Sequence, residues 1–158
     1  MGEWVNASPP ADLVHLAARL GLAVVLGGIV GVNRELRLKP AGLRTHALVA
    51  LGAALVTTVG TLLTGPPGDS GTLGRLVQGL LAGIGFIGGG VILHRDDTQG
   101  VHGLTTAAAV WLVAAVGIAV GAGLWAAGVT AIGLALAVLF IGGPIDRRLH
   151  GPSPPPRP

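Results

Sequence analysis

Long apolar runs, broken by short polar connections, set the pattern of this chain. Leu13 to Val32, His46 to Gly65, Leu76 to Leu93, Leu104 to Gly121 and Leu124 to Gly142 each continue for about 18 residues or more with almost no charge. A run of that length matches the hydrocarbon thickness of a bilayer, about 30 Å, when coiled as a helix. The pattern therefore predicts five transmembrane helices: an all-α membrane protein folded as a five-helix bundle. Residues 1–12 would form an outer tail, 13–142 the membrane domain, and 143–158 a cytoplasmic, proline-rich and disordered tail.

Composition agrees with this picture. Hydrophobic residues make up 51% of the chain and charged residues 11%, against about 25% charged in soluble domains. Mean hydropathy is +0.73. Such a chain cannot cover itself with polar surface.

The run AGIGFIGGGVIL contains GIGFIG, which matches the glycine spacing of a dinucleotide-binding loop. That meaning requires a preceding strand and an acidic residue about 20 positions further on. Here the glycines sit inside an apolar run, and Asp96 and Asp97 come too early. Close helix packing explains them better, because helices in lipid associate through small residues that let backbones approach. The same four-residue spacing recurs in Gly27 with Gly31, Gly79 with Gly83, Gly85 with Gly89, and Gly117 with Gly121.

Charge placement predicts orientation. Glu3 and Asp12 precede the first run, and Arg34, Arg37, Lys39 and Arg44 follow it. By the positive-inside rule the N-terminus lies outside and the first connection in the cytoplasm. Arg95, Arg147, Arg148 and Arg157 then also fall inside, which leaves Arg75 in an outer loop and the C-terminus in the cytoplasm. The pI near 11.1 thus reports membrane orientation. A nucleic-acid role is disfavoured, because the basic residues lack an aromatic platform.

An ungapped offset of 61 residues aligns the chain with itself. Gly27 and Gly28 fall on Gly88 and Gly89, Arg34 on Arg95, Glu35 on Asp96, and Gly42, Leu43 and Thr45 on Gly103, Leu104 and Thr106. Two helices separate the copies, so the predicted repeat is parallel, pairing helices 1–2 with helices 3–4. Binding sites in repeat-built transport folds commonly lie at the repeat interface. A duplication kept only for packing is the alternative.

The stretches PAGLRTHALVALGAAL, GIGFIGGGVIL and GLTTAAAVWLVAAVGIAVGAG, taken together and in this order, resemble the MgtC/SapB family of bacterial inner-membrane proteins over about Leu13 to Gly142. The resemblance implies a five-helix, multi-pass protein of the inner membrane. It is linked to growth in low magnesium, to survival inside phagocytes and to modulation of the F-type ATP synthase. The chain departs from the family pattern at Asn33, which precedes Arg34 and Glu35 where an acid is usual, at Thr72 ahead of Arg75, and at Gly89 in place of an alanine. It resembles a short form without the soluble C-terminal domain of long members.

Candidate chemistry is sparse. Helices 2 and 4 both open with Gly-Leu-x-Thr, and helix N-termini present unsatisfied amides and partial positive charge. A shallow cytoplasmic anion site is therefore expected from Arg44, Thr45, Thr105 and Thr106, for phosphate or a phospholipid head group. Simple helix caps are the alternative. Arg34 with Glu35 and Arg95 with Asp96 are expected to form reciprocal charge contacts between the two halves. Arg19 either snorkels to the outer interface or finds a buried partner, and Gln78 supplies packing polarity within helix 3.

No acid occupies the middle of any run, which argues against a protein-lined magnesium pathway, since Mg²⁺ prefers oxygen ligands that include carboxylates. The five histidines are scattered, and there is no cysteine. No metal site, no cofactor and no catalytic constellation is predicted. The expected role is non-enzymatic: contact with lipid and with another membrane protein, the F-type ATP synthase being implied by the resemblance. Self-association is a further expectation, and a transporter or lipid/anion carrier is the alternative function.

Overall fold

The computed structural model describes residues 9–64, 70–93 and 103–150. They form five helices, α1 (Pro9–Leu36), α2 (Leu43–Thr64), α3 (Ser70–Leu93), α4 (Leu104–Gly121) and α5 (Trp125–His150). Each contains a stretch long and apolar enough to cross a membrane. The five expected helices are therefore present, but several boundaries shift. α1 begins at Pro9, where proline suits a first turn whose amides need no acceptor. α3 begins at Ser70, ahead of the apolar run. α5 continues past Gly142, through Pro144, to His150, because backbone hydrogen bonding does not stop where the apolar run does.

The two central helices are α2 and α4. α1 packs on both of them, α5 packs on α4 and α1, and α3 packs on α4 and α2. Among the described residues α3 touches neither α1 nor α5. The core is built from small and β-branched residues, including Ala23, Val30, Ala50, Ala54, Val113, Val116 and Val120. Small side chains bring the helix axes close, as expected where dispersion and not water exclusion drives association.

Glycine makes the closest approaches. A Cβ added to Gly27 would lie 2.6 Å from the His46 carbonyl oxygen, and one on Gly31 2.6 Å from Leu43 Cα. On α4, a Cβ at Gly117 would collide with the Ala50 carbonyl, and one at Gly121 would lie 2.5 Å from that of Ala54. Thr58 fastens the second crossing by donating to the Ala54 carbonyl at 2.8 Å and to the Gly121 carbonyl at 3.2 Å. The seams predicted for Gly27/Gly31 and Gly117/Gly121 are thus formed.

The seams predicted on α3 are not formed among the described residues. A Cβ on Gly79, Gly83, Gly85 or Gly89 would meet nothing within 4 Å. Glycine spacing shows that a helix can be approached closely, but the helix that would do so is set by tertiary topology. Here α3 turns these glycines away from α2 and α4.

The α1–α2 connection is a tight reversal. The Lys39 amide donates to the Arg34 carbonyl at 3.1 Å and the Leu38 amide to the Glu35 carbonyl at 2.9 Å, a Schellman pair in which Leu38 takes the left-handed position usually held by glycine. Its φ is 53°. Gly42 then passes close to the Glu35 carboxylate, which accepts a 2.8 Å bond from the Leu43 amide and caps α2.

Candidate functional site

Buried polarity gathers where the C-terminal end of α1 meets the N-terminal ends of α2 and α4. Arg34 is only 3% exposed. Its Nη2 donates to Thr106 Oγ1 at 3.0 Å, tying α1 to α4. Its Nε is buried with no partner, and among the described residues no carboxylate lies within ion-pair distance. A charge held this way is expensive unless a counter-charge or donor–acceptor partner is supplied.

A cavity of about 480 Å³ opens beside it, lined by Arg34, Leu38, Lys39, Pro40, Gly103, Thr105 and Thr106. The α4 N-terminus faces this space through its first turn. Gly103 caps it at φ 87°, and no side chain caps the free amides. Gly103 is required there on two counts, since its φ is left-handed and a Cβ would lie 2.8 Å from the Val91 carbonyl oxygen. Two cations, two threonines and an uncapped helix start therefore converge, with no acid among the described lining residues.

Arg44 and Thr45, expected to share a site with Thr105 and Thr106, line a separate depression with Glu35 and Gly42. Leu38, Lys39 and Pro40 border both spaces. The expected grouping is corrected accordingly: Arg34 and Lys39 accompany Thr105 and Thr106, because α1 crosses α4 near its N-terminus while Arg44 follows α2 outward. Arg34 and Glu35 also serve different ends, one bonding Thr106 and the other capping α2. Arg95 and Asp96, the other half of the expected charge contacts, lie outside the described residues.

His46 is fully buried. Its Nδ1 lies 2.9 Å from the Gly42 carbonyl, which makes Nδ1 the donor and leaves Nε2 an acceptor without a partner. Asn33 Oδ1 is likewise buried and unpaired. Sequence reasoning set both residues aside. Their signal was a polar type at the edge of an apolar run.

Arg37 was also missed as a contact. Its guanidinium lies 5.2 Å from the Phe140 ring centre, over α5, a cation–π geometry. At the opposite end of the bundle, the exposed Arg19 directs its guanidinium toward Gly123 in the α4–α5 turn and borders a depression with His15 and Thr58. Gln78 is exposed on α3. Among the described residues, no cluster of three or more histidine, aspartate or glutamate side chains could hold a metal ion.

Known proteins give this geometry a relationship. The MgtC family matches residues 20–148. The chain is 41% identical to Protein SrpB of Synechococcus elongatus, across 85% of this chain and 78% of that protein. It is 43% identical to Protein MgtC of Brucella abortus, across 71% of this chain but 44% of that protein. It is 38% identical to the Putative magnesium transporter YhiD of Escherichia coli, across 78% of this chain and 58% of that protein. The chain thus spans about half the length of the latter two. No solved structure matches. Five membrane-length helices and a match across most of its length make this chain a multi-pass membrane protein belonging to the MgtC family.

Proposed function

We propose that the protein acts without catalysis, as a modulator of another integral membrane protein that it meets helix to helix along α3. The observation that carries this is the open glycine face. Gly79 and Gly83 lie one turn apart on the same side of α3, a Cβ on either would meet nothing within 4 Å among the described residues, and Phe86 projects beside them at 85% exposure. A smooth groove next to an aromatic knob suits close packing against a second transmembrane helix. The partner implied by the family resemblance is the F-type ATP synthase, in adaptation to low magnesium. A second copy of the chain is the competing occupant.

The orientation proposed with this role puts the chain in the bacterial inner membrane, the N-terminus outside and the Arg34–Arg44 connection and C-terminus in the cytoplasm. Clustering of Arg34, Arg37, Lys39 and Arg44 at one end of α1 and α2 supports it. A parallel repeat is supported by local correspondence. The His46 amide donates to the Gly42 carbonyl at 3.2 Å, and 61 residues later the Ala107 amide donates to that of Gly103 at 2.8 Å. Likewise Gly27 abuts His46, and Gly88 faces Ala107 at 3.6 Å.

The Escherichia coli relative is named Putative magnesium transporter YhiD, and the second reading is accordingly transport, with the repeat interface as its site. The buried polar side chains of the described residues are Asn33, Arg34, His46, Thr57, Thr58 and Thr106. A set with an arginine and no carboxylate suits an anion or lipid carrier better than a magnesium path. Reconstituted vesicles separate the readings. A carrier moves solute alone, whereas a modulator is silent until its partner is present. The modulator reading predicts that ATP synthase co-purifies from native membranes and that Gly83→Leu abolishes the association and its effect on proton-driven ATP synthesis. Recovery of the chain without that partner, together with unchanged ATP synthesis in a deletion strain, would refute it.

A further inference from the structure

The cavity at Arg34 adjoins a second space at the α4 N-terminus. Thr105 belongs to its wall and also to the wall of an apolar groove of about 490 Å³ between α4 and α5, lined by Ala108, Trp111, Leu112, Ala135 and Val138 among others. One residue therefore borders both a cationic chamber and an apolar groove that extends along α4 and α5.

We propose that these two spaces form a single binding site for one anionic phospholipid, with the phosphate of the head group at Arg34, Lys39 and the first turn of α4, and an acyl chain in the α4–α5 groove. Charge and burial select this occupant. Arg34 is buried, has no ion-pair partner among the described residues and lines the chamber. A phosphodiester supplies the missing counter-charge and accepts from guanidinium and helix-start amides together. Thr106 Oγ1 already accepts from Arg34, so its own hydroxyl proton is free for a phosphate oxygen. Lys39 adds a second charge from the chain reversal, in the manner of basic pockets between transmembrane helices that take anionic head groups. A free anion would satisfy the chamber but leave the groove unexplained. A neutral lipid would fill the groove but leave Arg34 unpaired.

Trp111 reports directly on the groove, and the chain has only two other tryptophans, Trp4 and Trp125. The full chain carrying Trp4→Phe and Trp125→Phe is reconstituted in phosphatidylcholine vesicles doped with acyl-brominated phosphatidylglycerol or acyl-brominated phosphatidylcholine, and Trp111 quenching is read against lipid fraction. Half-maximal quenching by phosphatidylglycerol is expected at about tenfold lower fraction, the separation that one charge-assisted contact confers. Lys39→Gln, at an exposed position that leaves the fold intact, should shrink that preference, and Arg34→Gln should erase it. Ala135→Phe should weaken quenching by both lipids. Equal quenching by the two lipids overturns the proposal. So does stabilisation of the chain by inorganic phosphate with no lipid preference, which would make the ligand a free anion.

Discussion

Four glycine pairs share one spacing, yet α3 treats its pairs unlike α1 and α4. On α1 and α4, Gly27/Gly31 and Gly117/Gly121 press against the backbone of α2. On α3, a Cβ at Gly79, Gly83, Gly85 or Gly89 would meet nothing within 4 Å among the described residues. Half of the most apolar stretch of α4 is buried, against 6% of that of α3. The same local motif therefore does two jobs. Where a neighbour is supplied by the fold it closes a seam, and where none is supplied it leaves a surface for another molecule. The difference also separates stability from function, since the closed seams hold the bundle together while the open face can change without cost to it.

The largest expected effect breaks the closed seam. Gly117→Leu should abolish recovery of a monodisperse folded protein, because the obstacle is the Ala50 backbone. Gly117→Ala should lower stability by about 1–3 kcal/mol, the usual cost of overpacking, read by thermal unfolding in micelles. Next comes the clamp at the other end of α4. Thr106→Val keeps shape but removes the acceptor for Arg34 Nη2, and leaving that donor unpaired should cost about 1–3 kcal/mol. The open face should respond with the opposite sign. Gly83→Ala should raise stability by up to about 1 kcal/mol, the helix-propensity gain over glycine, with no steric penalty to offset it. A drop comparable to that of Gly117→Ala would erase the contrast between the two kinds of seam.

The smallest expected effect lies in the chain reversal. Leu38→Gly should stabilise the fold by less than about 1 kcal/mol, since relief of the left-handed strain at φ 53° is partly offset by a more flexible unfolded chain. The same thermal unfolding measurement would detect it, and a loss would mean that Leu38 contributes packing despite its 94% exposure.

The five helices were legible in the sequence because hydrocarbon thickness imposes length and apolarity on each span independently of its neighbours. Boundaries were less so. α5 runs through Pro144 although proline has no N–H to bond the Phe140 carbonyl, so the helix tolerates one missing hydrogen bond there. The candidate site was half legible. Thr105 and Thr106 were identified from the opening of α4, but Arg44 was grouped with them where Arg34 and Lys39 stand, and the reciprocal contacts expected of Arg34 and Glu35 with Arg95 and Asp96 fall outside the described residues. Those partners depend on where α1 crosses α4, which no local pattern encodes. The 61-residue offset did hold one clue, since Thr106 is the counterpart of Thr45, and the contact between Arg34 and Thr106 joins the first half to the second. His46 was visible as a polar residue at the edge of an apolar run and Asn33 as a departure from the family pattern, and their burial is a property of the assembled bundle.

The open face of α3 is tested most directly by crosslinking in native membranes, for which a chain with no native cysteine is ready-made. Gly83→Cys on α3 and Leu134→Cys on the equally lipid-exposed face of α5 would each be treated with a short bifunctional thiol reagent, and the adducts identified. The account predicts a discrete adduct with another membrane protein at position 83 and none at position 134. Equal yields at the two positions, or no adduct at either, would contradict it.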